Sequence, residues 1–161
     1  MVIAVFENDK FNIIYSKFQN KRMPHAILVN TNCMEKARND LNLLIKKISC
    51  PNLYQDKCDK ECNICYQLEN NLIPSICDIY PFKMTIDRQQ ILNLKEKFLA
   101  KPLYLDYNIY IINYCEMLNF KSATTLLKFL EEPEDKILGF YLTENLEKIL
   151  PTIRSRCKRK P

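Results

Sequence analysis

Four cysteines stand close together at Cys50, Cys58, Cys62 and Cys65, a C-x7-C-x3-C-x2-C pattern. A Cys-x2-Cys pair with two further thiols nearby suits tetrahedral zinc, because four thiolates satisfy the ion and close its shell. The surrounding segment, CPNLYQDKCDKECNIC, is polar and has too little apolar content to pack alone. A bound metal would supply its folding energy. Four unrelated reduced thiols are a second reading, and a redox Cys-x2-Cys is a third. Cys62-Asn63-Ile64-Cys65 does not sit at the strand-to-helix turn of a thioredoxin-like unit, which counts against the redox case. Four thiolates leave no open position for water, so a metal here would be structural. Cys33, Cys77, Cys115 and Cys157 fall on apolar or junction positions and are expected to be small core residues.

A second candidate lies near the C-terminus. Arg156 sits in TIRSRC, flanked by Ser155 and Cys157. Its guanidinium is always charged and can fork onto phosphate oxygens. In isolation, Ser-Arg-Cys reads as an ordinary surface arginine paired with an acid. His25 is the only histidine, and without a nearby Ser or Cys partner it is weak support for hydrolase chemistry.

The strongest negative signal is glycine. The chain has one, Gly139. Loops that wrap phosphate need glycine, since backbone amides must approach the ligand closely and some positions require positive φ. The glycine-free N-terminal half cannot build an ordinary phosphate loop.

The elements that would position these residues alternate in type. Residues 11–21 read as a helix or helical entry, 26–30 (AILVN) as a buried strand, and 34–48 as a helix with Ala37, Leu41, Leu44, Ile45 and Ile48 on one face. The polar cysteine segment spans about 50–71. A strand is expected over 76–82, then a helix over 86–99 with Ile91, Leu94 and Phe98 on one face. The run 109–112 (IYII) suits a central parallel strand. Asn119 or Ser122 can cap the next helix, with Ala123, Leu126, Leu127 and Leu130 inward and Lys128, Glu131 and Glu132 outward. Pro133 stops it, and 137–142 is another buried strand. The alternation indicates βαβ units and a mostly parallel sheet.

Composition is that of a globular chain, 47% hydrophobic and 27% charged over 161 residues, a length that fits one domain. No apolar run approaches the roughly 20 residues needed to span a bilayer. MVIAVFENDK lacks a basic start and reaches Glu7 and Asp9 early, so no signal peptide is read and a cytoplasmic location without membrane contact is expected. The net charge of +5 falls short of a dedicated nucleic-acid binder. Positive charge gathers in Arg154, Arg156, Lys158, Arg159 and Lys160, the last three read as a solvated tail.

From Thr124 onward the order of parts, TTLLKFLEEPEDKILGFYLTENLEKILPTIRSRC, resembles the second half of a bacterial clamp-loader ATPase core of the AAA+ class. The resemblance runs from about Pro24 to the end. LLKFLEEP and TIRSRC are its most specific parts, and the cysteine module is third. It implies an α/β, three-layer P-loop-NTPase-like core with a parallel sheet and an inserted four-cysteine zinc module. It also implies that Arg156 acts as an arginine finger in trans on a neighbouring subunit's ATP, and that Thr143 matches a polar sensor of the γ-phosphate. In active relatives the strand matched by Pro24-His25-Ala26-Ile27-Leu28-Val29 leads into G-x-x-x-x-G-K-[ST]. Here the loop reads Asn30-Thr31-Asn32-Cys33-Met34-Glu35-Lys36, with neither glycine and Lys36 out of register. Asn113 stands where the magnesium-linked Asp would be, Tyr114 where the catalytic Glu would be, and Glu116 matches a non-catalytic position.

Together these imply a subunit that binds no ATP and assists its partners: motor subunits that bind ATP, the delta subunit and, indirectly, the sliding clamp and primed DNA. The family continues past Ser-Arg-Cys into a final core strand, a helical lid and a collar. The lid and collar are expected to be absent from this chain, leaving 1–161 as one core domain. Two rival readings are a divergent ATPase built around Lys36 and a zinc-containing nucleic-acid binder using the basic tail.

Overall fold

The computed structural model describes residues 3–7, 11–20, 24–50, 62–131, 136–155 and 157–159. Its strands are β1 (Ile3–Glu7), β2 (Ala26–Asn30), β3 (Ile76–Ile79), β4 (Asn108–Ile112), β5 (Ile137–Thr143) and β6 (Cys157–Arg159). Its helices are α1 (Phe11–Gln19), α2 (Met34–Ser49), α3 (Asn63–Glu69), α4 (Arg88–Lys97), α5 (Phe120–Glu131) and α6 (Pro151–Arg154). All six strands are parallel, in the order β3-β4-β5-β2-β1-β6.

The apolar strands alternate their burial between two faces, as a parallel sheet covered on both sides requires. Ala26 and Leu28 of β2, Tyr110 and Ile112 of β4 and Tyr141 of β5 pack with α4 and α5. Ile27 and Val29, Ile109 and Ile111, and Phe140 and Leu142 pack with α1 and α2. The result is three layers, helices on both faces of one sheet. The expected inward positions of α4 and α5 are buried: Ile91, Leu94 and Phe98, then Ala123, Leu126, Leu127 and Leu130. Asn119, rather than Ser122, caps α5, its Oδ1 accepting the Ser122 N–H at 2.9 Å.

The differences from expectation are local. β3 ends at Ile79. Three residues on, Phe82 turns into a tight reversal, with Phe82 and Thr85 exchanging backbone bonds at 2.8 and 3.1 Å. Helix α3 forms inside the polar cysteine segment, where no helix is predicted. β1 is a further strand that the N-terminal run IAVFE carries without a periodic signal. The tail expected at Lys158 and Arg159 is instead an edge strand: β6 pairs with β1 in register Ala4↔Lys158 and Val5↔Arg159. Basic residues are common on sheet edges, where charge discourages pairing with another chain. Cys33 is exposed rather than a core residue, because it lies in the turn before α2; Cys115 is buried.

The one glycine has a steric role. Gly139 in β5 lies beside Tyr110 in the ladder, and a Cβ there would collide with the Tyr110 ring. The Tyr110 hydroxyl reaches the Tyr141 hydroxyl at 2.7 Å, and the two rings meet edge to face at 5.8 Å. Burial pushes the Tyr110 phenol far above its ordinary value, so the pair stays neutral and satisfied. Gly139→Ala should therefore lower unfolding free energy by about 1–3 kcal/mol, the cost of overpacking a filled core. Chemical denaturation reads it, and an unshifted midpoint would show that Tyr110 does not need that space.

Candidate functional site

The C-terminal ends of β2, β4 and β5 carry the residues that the sequence places in nucleotide chemistry. Between β2 and α2 only residues 31–33 remain. A phosphate-wrapping loop of the G-x-x-x-x-G-K-[ST] type needs many more. Thr31 is buried, its N–H donating to the Thr143 carbonyl at 2.9 Å. Its hydroxyl donates to the Cys33 carbonyl at 2.9 Å and accepts the Cys33 N–H at 3.0 Å, which closes the turn on itself.

The head of α2 carries partial positive charge and free N–H groups, the usual place for an anion. Here the anion is internal. Glu144, the residue after β5, accepts the Met34 N–H through Oε1 at 3.1 Å. The Glu144 N–H in turn donates to Glu116 Oε1 at 3.3 Å. Sequence reasoning missed Glu144. Its only signal is its place one residue beyond Thr143, and that matters only once Asn30 is known to lie beside Thr143 in the sheet.

Asn113 is fully buried, and its amide donates to the Ile79 carbonyl at 3.1 Å and to Asp78 Oδ1 at 3.3 Å. Asp78 also pairs with Arg38 of α2 at 2.8 Å. A neutral amide thus ties β4 to β3 at the position that the family resemblance assigns to a metal-binding carboxylate. Tyr114 follows with φ of 54°, a left-handed backbone that is uncommon for a bulky residue. Thr143 is fully buried, and its hydroxyl accepts the Asn145 N–H at 3.1 Å, which shapes the turn after β5. Lys36 sits exposed in the first turn of α2. Burial lowers the pKa of His25, as expected for a structural histidine that stays neutral.

The cysteine module is brought together in large part. Cys50 ends α2, Cys62 caps α3 and Cys65 lies in its first turn. Cys50 and Cys65 are buried, and the three sulfurs lie within 4.8 Å of one another. Cys50 Sγ and Cys62 Sγ are 3.5 Å apart, and Cys62 Sγ accepts the Cys65 N–H at 3.4 Å. Thiolates around tetrahedral zinc, with Zn–S about 2.3 Å, are separated by roughly 3.8 Å, so this spacing fits the ion. Lys46 of α2 and Glu69 of α3 pair at 2.7 Å and hold the two helices in register. Cys58 lies outside the described residues, as does Arg156. Ser155 is exposed just after α6, and the Cys157 backbone opens β6.

Residues 6–160 match the family described as "DNA polymerase III, delta subunit". DNA polymerase III subunit delta' of Bacillus subtilis is 29% identical over 149 residues, 92% of this chain and 45% of that protein. DNA polymerase III subunit gamma of Buchnera aphidicola is 29% identical over 116 residues, 71% of this chain and 32% of that one. A solved gamma-subunit-related protein from Thermotoga maritima shares the fold, with a TM-score of 0.50 at 20% identity over 76% of this chain and 44% of that one. The chain spans less than half the length of these relatives. No helix among the described residues is long and apolar enough to cross a membrane.

Zinc should purify with the chain at about one equivalent, and Cys62→Ser or Cys65→Ser should lose it along with thermal stability. Metal analysis of the variants checks this; full zinc retention in both would mean that these sulfurs are not ligands.

Proposed function

Since this chain belongs to the DNA polymerase III delta-subunit family, we propose that it serves a clamp loader as a subunit that hydrolyses no ATP and completes a neighbour's ATP site with Arg156. One observation carries the ATP-inert part: a carboxylate of the chain's own, Glu144, sits on the head of α2 across a glycine-free turn of three residues. A triphosphate would meet that negative charge and find no loop to enclose it. Asn113 adds to this, because a neutral amide brings no negative charge to the position where magnesium sites use a carboxylate.

The chain from β5 through α6 to β6 is a separate connection from the β2–α2 turn. Arg156 falls in that connection, flanked by Ser155 and Cys157. A guanidinium offered from outside stabilises charge on the transferring phosphoryl without any nucleotide bound to its own chain. The partners are then ATP-binding motor subunits and the delta subunit, with the sliding clamp and primed DNA reached through them. Zinc on Cys50, Cys58, Cys62 and Cys65 is structural in this reading, because four thiolates leave no reactive position.

Arg156→Ala tests the role directly. In an assembly with its ATP-binding partners, the variant should lower partner ATP turnover by on the order of 10³-fold, while its own unfolding transition stays in place. Turnover equal to the unmodified assembly would remove Arg156 from the chemistry.

A further inference from the structure

The segment that leads to Arg156 is tied down by a forked ion pair. Arg154 Nη1 donates to Glu147 Oε2 at 2.8 Å, and Nη2 donates to Glu147 Oε1 at 3.0 Å. Glu147 lies in the 3-10 turn Leu146–Lys148, and Arg154 is the last residue of α6. That helix is a single turn. The Ile153 and Arg154 N–H groups both reach the Leu150 carbonyl at 2.9 Å, and the Ser155 N–H reaches the Pro151 carbonyl at 2.8 Å. A helix this short does not hold itself together in water, since nucleation costs more than one turn returns. Its inner side is anchored by Ile149 and Ile153, both buried. Its outer, C-terminal side has the fork.

The pair is open to solvent, with side chains 49% exposed for Arg154 and 74% for Glu147. Ion pairs so exposed add little to global stability. Two parallel N–H···O bonds nonetheless set direction, because guanidinium and carboxylate must lie in one plane. The fork therefore does two things at the end of α6. It commits the Arg154 guanidinium to Glu147. It also ties the C-terminal end of α6 back to the 3-10 turn Leu146–Lys148. The Asn145 side chain steadies the other partner, its Oδ1 accepting the Glu147 N–H at 3.1 Å.

We propose that Glu147 is a positioning residue for Arg156, acting through its forked bond to Arg154 to hold the end of α6 in the direction that delivers the finger to the neighbouring subunit's ATP. The proposal rests on the trans role of Arg156 argued above.

The test uses the full chain assembled with its ATP-binding partner subunits, and compares partner kcat and KM for ATP in Glu147→Ala, Arg154→Ala, Arg156→Ala and the Glu147→Ala/Arg156→Ala double variant. Misplacing a reacting group by about 1 Å costs on the order of 10²-fold in rate, so Glu147→Ala and Arg154→Ala should each lower kcat by about 10- to 100-fold. The two drops should match, with KM for ATP and the thermal midpoint unchanged. Glu147→Ala should add nothing once Arg156 is gone, because it acts only through that residue. The exchanged pair Glu147→Arg/Arg154→Glu should restore turnover. Normal kcat in Glu147→Ala beside a depressed kcat in Arg156→Ala would overturn the positioning role and leave the finger standing. A far larger loss in Arg154→Ala than in Glu147→Ala would overturn it too, since Arg154 itself would then be touching phosphate. A normal kcat in Arg156→Ala would overturn the parent reading, and this one with it.

Discussion

The pairing of β2 with β5 is the constraint on which the rest of the structure depends. The ladder runs in register from Ala26↔Gly139 to Asn30↔Thr143 and continues one bond further, from the Thr31 N–H to the Thr143 carbonyl. At one end it sets the single glycine against Ala26, and the ladder on the other side of β5 puts Tyr110 beside that same glycine, so that a large aromatic fits over the sheet. At the other it puts Glu144 against the head of α2. A slip of one residue in a parallel ladder would turn every side chain of β5 to the opposite face. It would both drive Tyr141 away from Tyr110 and remove the carboxylate from α2. Core packing and the closed state of the α2 head are thus two results of one register.

The closed head explains how a fold of this kind can exist without nucleotide. A helix terminus with free N–H groups asks for an anion. Where a bound phosphate meets that demand, apo stability suffers. Here Glu144 meets it from within, and nearby the Asn113 amide donates to the Ile79 carbonyl and the Asp78 carboxylate. The same sheet carries β5 near its middle and β6 at its edge, with α6 between them in the chain. The β2–α2 turn and the α6–β6 segment are physically independent, because they lie on different connections of one sheet.

Much of this was legible in the sequence. The buried strands AILVN and IYII and the inward stripe of α5 read correctly because each is a strong periodic or continuous apolar signal. The scarcity of glycine argued against an ordinary phosphate loop, but it gave no length for the β2–α2 turn, which is three residues. β1 and β6 were less visible. IAVFE is only five residues and carries no alternation, and CKR is basic enough to resemble a tail until its partner strand is in place. α3 escaped notice because NICYQLE sits in a polar, cysteine-bearing segment, and its helix is held by Cys62 as cap and by the Lys46–Glu69 pair. Glu144 and the Glu147–Arg154 fork could not be read at all. Both depend on distances between residues that only the fold brings together, and neither has a characteristic spacing.

In this reading the head of α2 is closed to nucleotide by the chain's own carboxylate, Glu144. Titration calorimetry of this chain with Mg-ATP tests it most directly. The account predicts no detectable heat of binding up to millimolar ATP, an affinity weaker than about −4 kcal/mol. A saturable isotherm with micromolar affinity and one-to-one stoichiometry would contradict it, and would make this chain a divergent nucleotide-binding subunit in its own right.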